Sequence, residues 1–304
     1  MQLEKHKRIL KEVFNNSEEA SEDLIARYAL TDLSVDVLSD VNESDFTTFK
    51  KSITIAALAL ALSEKDRKSV VAEADWALVD YGDYRNVLRK TAVKSAVDSW
   101  KYRDYLLGED FTFNPNDKAI DRTVSNIASA KIKAYNSQEQ KRISIVVREG
   151  RKHAWTPERT AAEIKRGAGL NSVQQKTLFN VQTGLVKEGF SKQQIGAKTS
   201  EYIDKAKSYR ADMTARWDSV SAVNEGHSIL WAQLVGVGLI SENSRKEWVA
   251  ILDQRTGESD AAMHGQVVKI TDNFRDPLMV YPPLMRPPLR SNCRCDMRLV
   301  PKWI

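Results

Sequence analysis

Glycine and proline, the residues that most often interrupt helices, are scarce in this chain. Its 304 residues include 13 glycines and 8 prolines, and four of the prolines fall within residues 282–288. Apolar residues recur at steps of three and four, as at Leu24, Tyr28 and Ala29 followed by Leu33 and Val37. Few breakers together with this spacing predict long helices. The expected fold class is therefore mainly α, with long helices in the N-terminal and middle regions.

The last sixty residues have a different pattern. Residues 246–257, KEWVAILDQRTG, alternate in the way that predicts a strand running into a turn. Residues 264–270, HGQVVKI, predict a second strand, and 293–301, CRCDMRLVP, predict a third with Cys293 and Cys295 on one face. The sequence therefore predicts a small α+β module at the C-terminal end.

Charge divides the chain into three segments, which we take as predicted domains. Residues 1–110 carry a net charge of −5, residues 111–245 carry +8, and residues 246–304 carry +2. Turn-forming stretches at 108–117 and 236–247 mark the two boundaries. We thus expect an acidic helical domain, a basic helical domain and the small α+β module. The basic segment suits nucleic acid, although a solvated helical surface explains the same charge.

Local signals locate several elements. Thr156, Pro157 and Gly167 have the residue types preferred at the N-cap, first turn and C-terminal end of a helix. Residues 117–146 predict one long helix, and residues 191–238 predict two helices with a break near 207–210. The apolar run 52–63 is shorter than the roughly 20 residues that span a bilayer, so it predicts a buried core helix and no membrane partner.

The basic segment provides the candidates for DNA contact. Residues 148–155, REGRKHAW, predict a basic loop that carries an aromatic residue and a histidine. Such a loop, with the cations of the preceding helix, contacts phosphates without reading sequence. The candidate residues are Lys131, Lys133, Lys141, Arg142, Arg148, Arg151, Lys152 and His153.

Four motifs occur in order near the C-terminal end: LDQRTG at 252–257, HGQV at 264–267, PPLR at 287–290 and CRC at 293–295. With YRADMTARWDSVSAVNEG at 209–226 upstream, they resemble the phage Mu F-like family of minor head proteins, also called head morphogenesis proteins. Arg216, Ala222, Asn224 and Gly226 match the family's upstream helix. The residues that match its C-terminal module, and so form a structural motif, are Trp248, Asp253, Arg255, Thr256, His264, Gly265, Pro287, Pro288, Asn292, Cys293, Arg294 and Cys295.

The resemblance implies a function and partners. Relatives are minor capsid proteins that associate with the portal inside the head and assist capsid assembly and DNA packaging and delivery. For this chain it implies the portal protein as a partner, with the scaffold and the major capsid protein as further ones and double-stranded DNA bound non-specifically. It also implies a virion protein of the capsid interior that is in the host cytoplasm during assembly, and no enzyme.

Departures from the family pattern bear on metal binding. Gly257 and Asp260 stand where many relatives have cysteines, and Arg290 stands where they have a histidine. Asp253, His264, Cys293 and Cys295 remain as candidate zinc ligands, with Asp260 as a substitute for Asp253, but a cation beside them disfavours a metal. We therefore expect no cofactor and no catalytic residue.

Two other functions stay open from the sequence alone. One is a metal-dependent hydrolase or nuclease that uses Asp253, His264 and the two cysteines. The other is a DNA-binding protein with no place in the virion.

Overall fold

Long helices make up most of the described chain, as the scarcity of glycine and proline predicts. The computed structural model describes residues 21–64, 66–107 and 111–300. A short 3-10 turn, Trp76–Leu78, lies between the third and fourth helices. The helices are α1 (Ser21–Ser52), α2 (Ile55–Ser63), α3 (Arg67–Ala72), α4 (Gly82–Leu107), α5 (Lys118–Lys152), α6 (Pro157–Arg166), α7 (Ser172–Lys187), α8 (Lys192–Gly236) and α9 (Glu258–Met263).

The C-terminal module contains the strands of the described chain. These are β1 (Arg245–Val249), β2 (Val267–Lys269) and β3 (Asp296–Val300), and they form an antiparallel sheet in the order β2-β1-β3. Trp248 of β1 pairs with Met297 of β3, and Glu247 pairs with Val267 of β2. With α9 between β1 and β2, this is the mainly α fold with a small α+β module that the sequence predicts.

The third strand begins later than predicted. Cys293 and Cys295 precede β3 and lie in the turn that leads into it, so they are not on one face of a strand. The turn is closed by the Cys293 amide, which donates to the Arg290 carbonyl, and Asn292 takes a left-handed backbone with φ +64°. A tight turn rather than the two-residue repeat of a strand therefore sets the positions of the cysteines.

Helix boundaries follow the local signals in the middle of the chain. The Thr156 side chain accepts a hydrogen bond from the Arg159 amide, Pro157 begins α6 and Gly167 ends it, which confirms all three assignments. Helix α5 is longer than predicted and includes residues 148–152, so most of the predicted basic loop is helical.

The predicted break near 207–210 is wrong, because α8 continues through it from Lys192 to Gly236. The four residues at the predicted break include no glycine or proline. Arg210 is also fixed there, since its guanidinium donates to the Gly169 carbonyl at 2.7 Å.

The described chain packs as two compact units, each assembled from separated stretches of sequence. The first combines Tyr84–Ile127 with the described parts of Met1–Leu38 and Met213–Ile304. In its interior α4 and α8 approach closely, because a Cβ on Gly226 would lie 2.2 Å from the Ala92 carbonyl oxygen. Trp248 is fully buried in the module and meets Phe274 edge to face at 5.2 Å.

The second unit combines Ser39–Asp83 with Ala128–Asp212. Its core is aromatic: Trp76 is fully buried, stacks on Phe49 at 4.0 Å and meets Tyr135 edge-on at 4.6 Å. Helix α2, the predicted core helix, buries Leu58, Ala59 and Ala61. Such aromatic packing supplies much of the apolar burial that a unit of this size needs.

The three domains predicted from charge remain a prediction. The boundary at residue 110 lies outside the described residues, and the packing groups the chain differently from the charge pattern. Among the described residues no single helix is long and apolar enough to cross a bilayer. The pair Leu30–Ser52 and Ile55–Ser63, bent by 58°, has the length and composition of a span when the two helices are taken together.

Candidate functional site

Lys131, a predicted DNA contact, lies inside the second unit. Its side chain is 1% exposed, and its ammonium lies 3.2 Å from an Asp45 carboxylate oxygen and donates to Asn42. The Tyr81 and Tyr135 rings lie 5.3 and 5.6 Å away. Burial raises the pKa of Asp45, and the Lys131 charge opposes that rise. This lysine is therefore not available to a phosphate in this structure.

Arg142 is also internal, with a fully buried side chain. Its guanidinium pairs with Glu139 on the same helix and donates to Gln175 at 3.1 Å and to the Ile164 carbonyl at 2.7 Å. These contacts connect α5 to α6 and α7. Sequence reasoning took Lys131 and Arg142 as surface cations because a charge count does not distinguish the two sides of a helix.

The other six DNA candidates are exposed. His153 lies just beyond α5, and its Nε2 is 2.8 Å from a Glu149 carboxylate oxygen. The other five, all on α5, are Lys133, Lys141, Arg148, Arg151 and Lys152. At 100° per residue they fall within about 100° of one helix face, and they extend over about 28 Å. We refer to these five residues as the cationic face of α5.

In the C-terminal module, the motif residues Trp248 and Gly265 are joined through the backbone. The Gly265 amide donates to the Trp248 carbonyl at 2.9 Å, and the Trp248 amide donates to the Gln266 carbonyl at 3.0 Å. Gly265 has φ +75°, a left-handed backbone that favours glycine. His264 Nδ1 accepts from the Ala250 amide at 3.1 Å. The His-Gly step thus closes the loop between α9 and β2 against β1.

Asp253 is held by Arg294. The two guanidinium nitrogens of Arg294 donate to the two carboxylate oxygens of Asp253 at 2.9 and 2.5 Å. The Arg255 amide and the Thr256 hydroxyl also donate to Asp253 Oδ1, at 2.9 and 3.2 Å. The hydrogen bonds from Arg294 hold the pKa of Asp253 far below its usual range. The carboxylate fastens the turn after β1 to the turn before β3.

Arg255 is a weaker partner of Asp253 than Arg294 is. The Arg255 guanidinium lies 3.5 Å from Asp253 and is 79% exposed, whereas Arg294 is 17% exposed. A well-shielded bidentate pair outweighs an exposed single contact.

The two cysteines meet Asp260 in the interior of the module. One ligand-type atom from each of Asp260, Cys293 and Cys295 lies within 4.8 Å of the other two, and all three residues are buried. The Cys295 thiol is 3.5 Å from Asp260 Oδ1. The neighbouring Cys293 sulfur and burial both raise the pKa of Cys295, which keeps a proton on the thiol. Neither Asp253 nor His264 belongs to this group.

Arg290 supplies the positive charge beside this group. Its guanidinium lies 2.8 Å from Asp260 Oδ2, and it packs over Gly257, where a Cβ would lie 2.3 Å from Arg290 Nη2. Gly257 leaves the space that Arg290 fills. Zinc prefers four ligands, usually including deprotonated thiolates, and this group offers three residues and a competing internal cation. The donors present therefore fit a metal poorly.

Several residues that sequence reasoning did not select connect the module to α4 and α8. His227 is fully buried, with Nε2 2.8 Å from Ser95 Oγ and Nδ1 3.2 Å from an Asp296 oxygen. Arg286 pairs with Glu225, and Asn224, one of the family-matched residues, donates to the Cys295 carbonyl at 3.5 Å. No local signal marks these pairs, since the partners are far apart in sequence.

Pro287 and Pro288, both in the family motif, are buried and are joined by a cis peptide bond. They lie directly before Leu289 and Arg290, and the Arg290 guanidinium contacts Asp260. The terminal motif is therefore a set of packed and paired groups around one turn.

Comparison with known proteins covers the region that contains these motifs. Residues 159–298 match the family model described as Phage Mu protein F like protein, a span that is slightly less than half of the chain. No curated protein and no solved structure matches the chain. The family indicates a bacteriophage head morphogenesis protein that is associated with the virion. Residues 159–298, which contain all the motifs in their expected order, are therefore similar to the phage Mu F-like head morphogenesis family.

Proposed function

We propose that this protein is a minor capsid protein that associates with the portal inside the phage head and assists capsid assembly and DNA packaging and delivery. The observation that carries the proposal is the family match over residues 159–298. The C-terminal module supports a structural role for the matched region, because two of its carboxylates form internal ion pairs. Asp253 is bound by Arg294 and Asp260 by Arg290.

The DNA contact is assigned to the cationic face of α5. Each of its five residues is exposed. A row of cations about 28 Å long, at 1.5 Å per helical residue, suits the phosphate backbone of a duplex. Nothing in it reads base edges, so the binding is expected to be independent of sequence.

The DNA part is tested by the salt dependence of binding. If the five cations each neutralise one phosphate, the slope of log K against log salt is about −4.5 for duplex DNA. The double variant Lys133→Gln/Lys141→Gln should reduce that slope by roughly 2. Lys187→Gln/Lys192→Gln removes the same charge from exposed positions off α5 and is the matched control. Equal slopes for the wild type and both variants would remove DNA contact from the proposal.

The portal part is tested by co-expression of this chain with the portal protein of the same phage. We expect the two to co-purify through size exclusion, and expect the chain to be present in purified heads. A chain that separates from the portal and is missing from heads would overturn the assignment. Scaffold and major capsid protein are tested as partners in the same way.

We also propose that the protein acts without catalysis, because the residues of the hydrolase alternative do not converge. Asp253 is neutralised by Arg294, and His264 Nδ1 is used by the Ala250 amide. Incubation of the purified chain with supercoiled DNA and Mg²⁺, Mn²⁺ or Zn²⁺ should leave the DNA intact. If the wild type cleaves the DNA and a folded Asp253→Ala variant does not, the hydrolase or nuclease alternative would be correct.

A further inference from the structure

A groove of about 590 Å³ lies in the second unit, on the side of α5 next to the cationic face. Its walls are the end of α2 with α3, the C-terminal half of α5, and the start of α6. Nearly all of it precedes residue 159, so the family match does not account for it. Its lining residues include Leu62, Val70, Val71, Ile143, Val147 and Trp155.

The groove follows the C-terminal half of α5. The lining positions Gln140, Ile143, Ser144, Val147 and Arg151 recur at steps of three and four, which is one stripe of a helix. At 1.5 Å per residue the stripe from 140 to 151 is about 16 Å long. An occupant that follows it therefore has about three helical turns or five extended residues.

Trp155 lines the groove beyond the C-terminal end of α5, and two neighbouring side chains pack against its ring. The Arg159 guanidinium lies over its ring at 4.6 Å, and the Phe179 ring meets it edge-on at 6.1 Å. A large apolar wall that is already positioned lowers the entropic cost of binding.

The charge of the groove is positive at the same end. Arg148 and Arg151 line it and are exposed. Asp66, the single acidic residue among the described lining residues, is occupied as the N-cap of α3: its carboxylate accepts from the Lys68 amide at 2.9 Å and from the Ser69 hydroxyl at 2.5 Å. The groove therefore combines an apolar floor with two cations that have no acidic partner within it.

We propose that this groove binds an amphipathic helix of a protein partner, about three turns long, whose apolar stripe fills the floor and whose acidic residues meet Arg148 and Arg151. A helix in a groove presents anchors at steps of three, four and seven, which matches the spacing on α5. Duplex DNA has no apolar stripe to cover Val71 and Val147. The volume falls within the range of about 300–1,000 Å³ that binding clefts occupy.

The probe is a fluorescein-labelled helical peptide of 14 residues with leucines at steps of three and four, and two glutamates after the last leucine. A second peptide with lysines in place of the glutamates is its control. By fluorescence anisotropy the acidic peptide should bind the full-length protein at least roughly tenfold more tightly than the basic one. Arg148→Ser/Arg151→Ser should remove that preference, and Val71→Glu, on the opposite wall, should weaken both peptides.

Lys187→Ser/Lys192→Ser matches the charge change away from the groove and should bind the acidic peptide like the wild type. Circular dichroism of each variant checks that the helices are intact. The proposal is overturned if the two peptides bind equally, or if neither binds. It is also overturned if anionic phospholipid vesicles sediment with the wild type but not with Arg148→Ser/Arg151→Ser, because the groove would then belong to a lipid. The DNA part of the proposed function is tested separately with Lys133→Gln/Lys141→Gln, because neither lysine lines the groove, so the two proposals can fail independently.

Discussion

Asp253 and Arg294, 41 positions apart in the sequence, form a bidentate side-chain link within the C-terminal module. Asp253→Asn removes the charge but keeps the shape. We expect it to lower the free energy of unfolding by about 2 kcal/mol at pH 7, since two charge-assisted hydrogen bonds lose most of their strength. Urea unfolding of the wild type and the variant measures the difference.

The same pair makes the free energy of unfolding depend on pH in the acid range. The pKa of Asp253 is depressed in the folded chain, so its contribution is complete above the unfolded value of about 3.9 and is lost as the pH falls below it. The difference between wild type and Asp253→Asn should therefore be constant from pH 5.5 to 7 and should shrink below about pH 4. Asp272→Asn, at an exposed position, is the control. A difference that does not change with pH would contradict this assignment.

Arg290 and Gly257 give a prediction about metal. We expect the wild type to bind no zinc, because the Arg290 guanidinium lies against Asp260. The double variant Gly257→Cys/Arg290→His removes that cation and adds a thiol and an imidazole beside Asp260, Cys293 and Cys295. It should bind one zinc per chain, as measured by elemental analysis after dialysis. Stoichiometric zinc in the wild type would show that Arg290 does not exclude a metal.

For single residues, the sequence predicted contacts between positions that are close together in the chain. Thr156 caps α6 because its own hydroxyl reaches an amide three residues on. Lys131 and Arg142 were misread because their partners, Asp45 and Gln175, come from other helices. Side-chain type alone does not indicate which cation is buried.

Two of the three glycines of helix α8, Gly226 and Gly196, lie in opposite surroundings. A Cβ on Gly226 would lie 2.2 Å from the Ala92 carbonyl oxygen, whereas a Cβ on Gly196 meets nothing within 4 Å. Gly226→Ala should therefore destabilise the protein by at least about 2 kcal/mol, because backbone must move. Gly196→Ala should stabilise it by up to about 1 kcal/mol. Thermal unfolding compares the two, and equal effects would rule out the close approach.

The continuity of α8 can be tested at Ser208, which is exposed in the region where a break was predicted. Ser208→Pro should lower the free energy of unfolding by about 3 kcal/mol or more, because proline lacks the amide hydrogen and clashes with the preceding turn. It should also reduce the helical signal in circular dichroism. Ser208→Ala, the control, should be neutral or slightly stabilising. A break at 207–210 in solution would let proline be accepted without loss.

Element type followed from spacing and from breakers, so the long helices and the three strands were predicted. The ends of the elements were harder to predict from the sequence. The sequence places the cysteines next to a strand pattern, but the Arg290–Cys293 turn delays β3 to Asp296. The groove beside α5 was not predictable, since its walls come together only in the folded second unit.

At the scale of the whole molecule, side-chain contacts join the module of residues 246–304 to the rest of the first unit. Asp296 meets His227, Arg286 pairs with Glu225, and the Cys295 carbonyl accepts from Asn224. Fragment 246–304 should therefore have random-coil amide shifts in solution. In the full chain the β1 amides should be protected from hydrogen exchange. A folded fragment would confirm the predicted domain boundary at 245 instead.

The division of each unit among distant stretches of sequence has a consequence for synthesis. The first unit needs residues from Tyr84–Ile127 together with others beyond Met213, so it stays incomplete while most of the chain emerges from the ribosome. Contacts between such distant segments slow folding, and apolar helix faces remain uncovered meanwhile. At about 5–20 residues per second this interval lasts several seconds or more. We therefore expect the first unit to complete its packing only after β3 has left the ribosome, and expect its apolar helix faces to be exposed to chaperones until then.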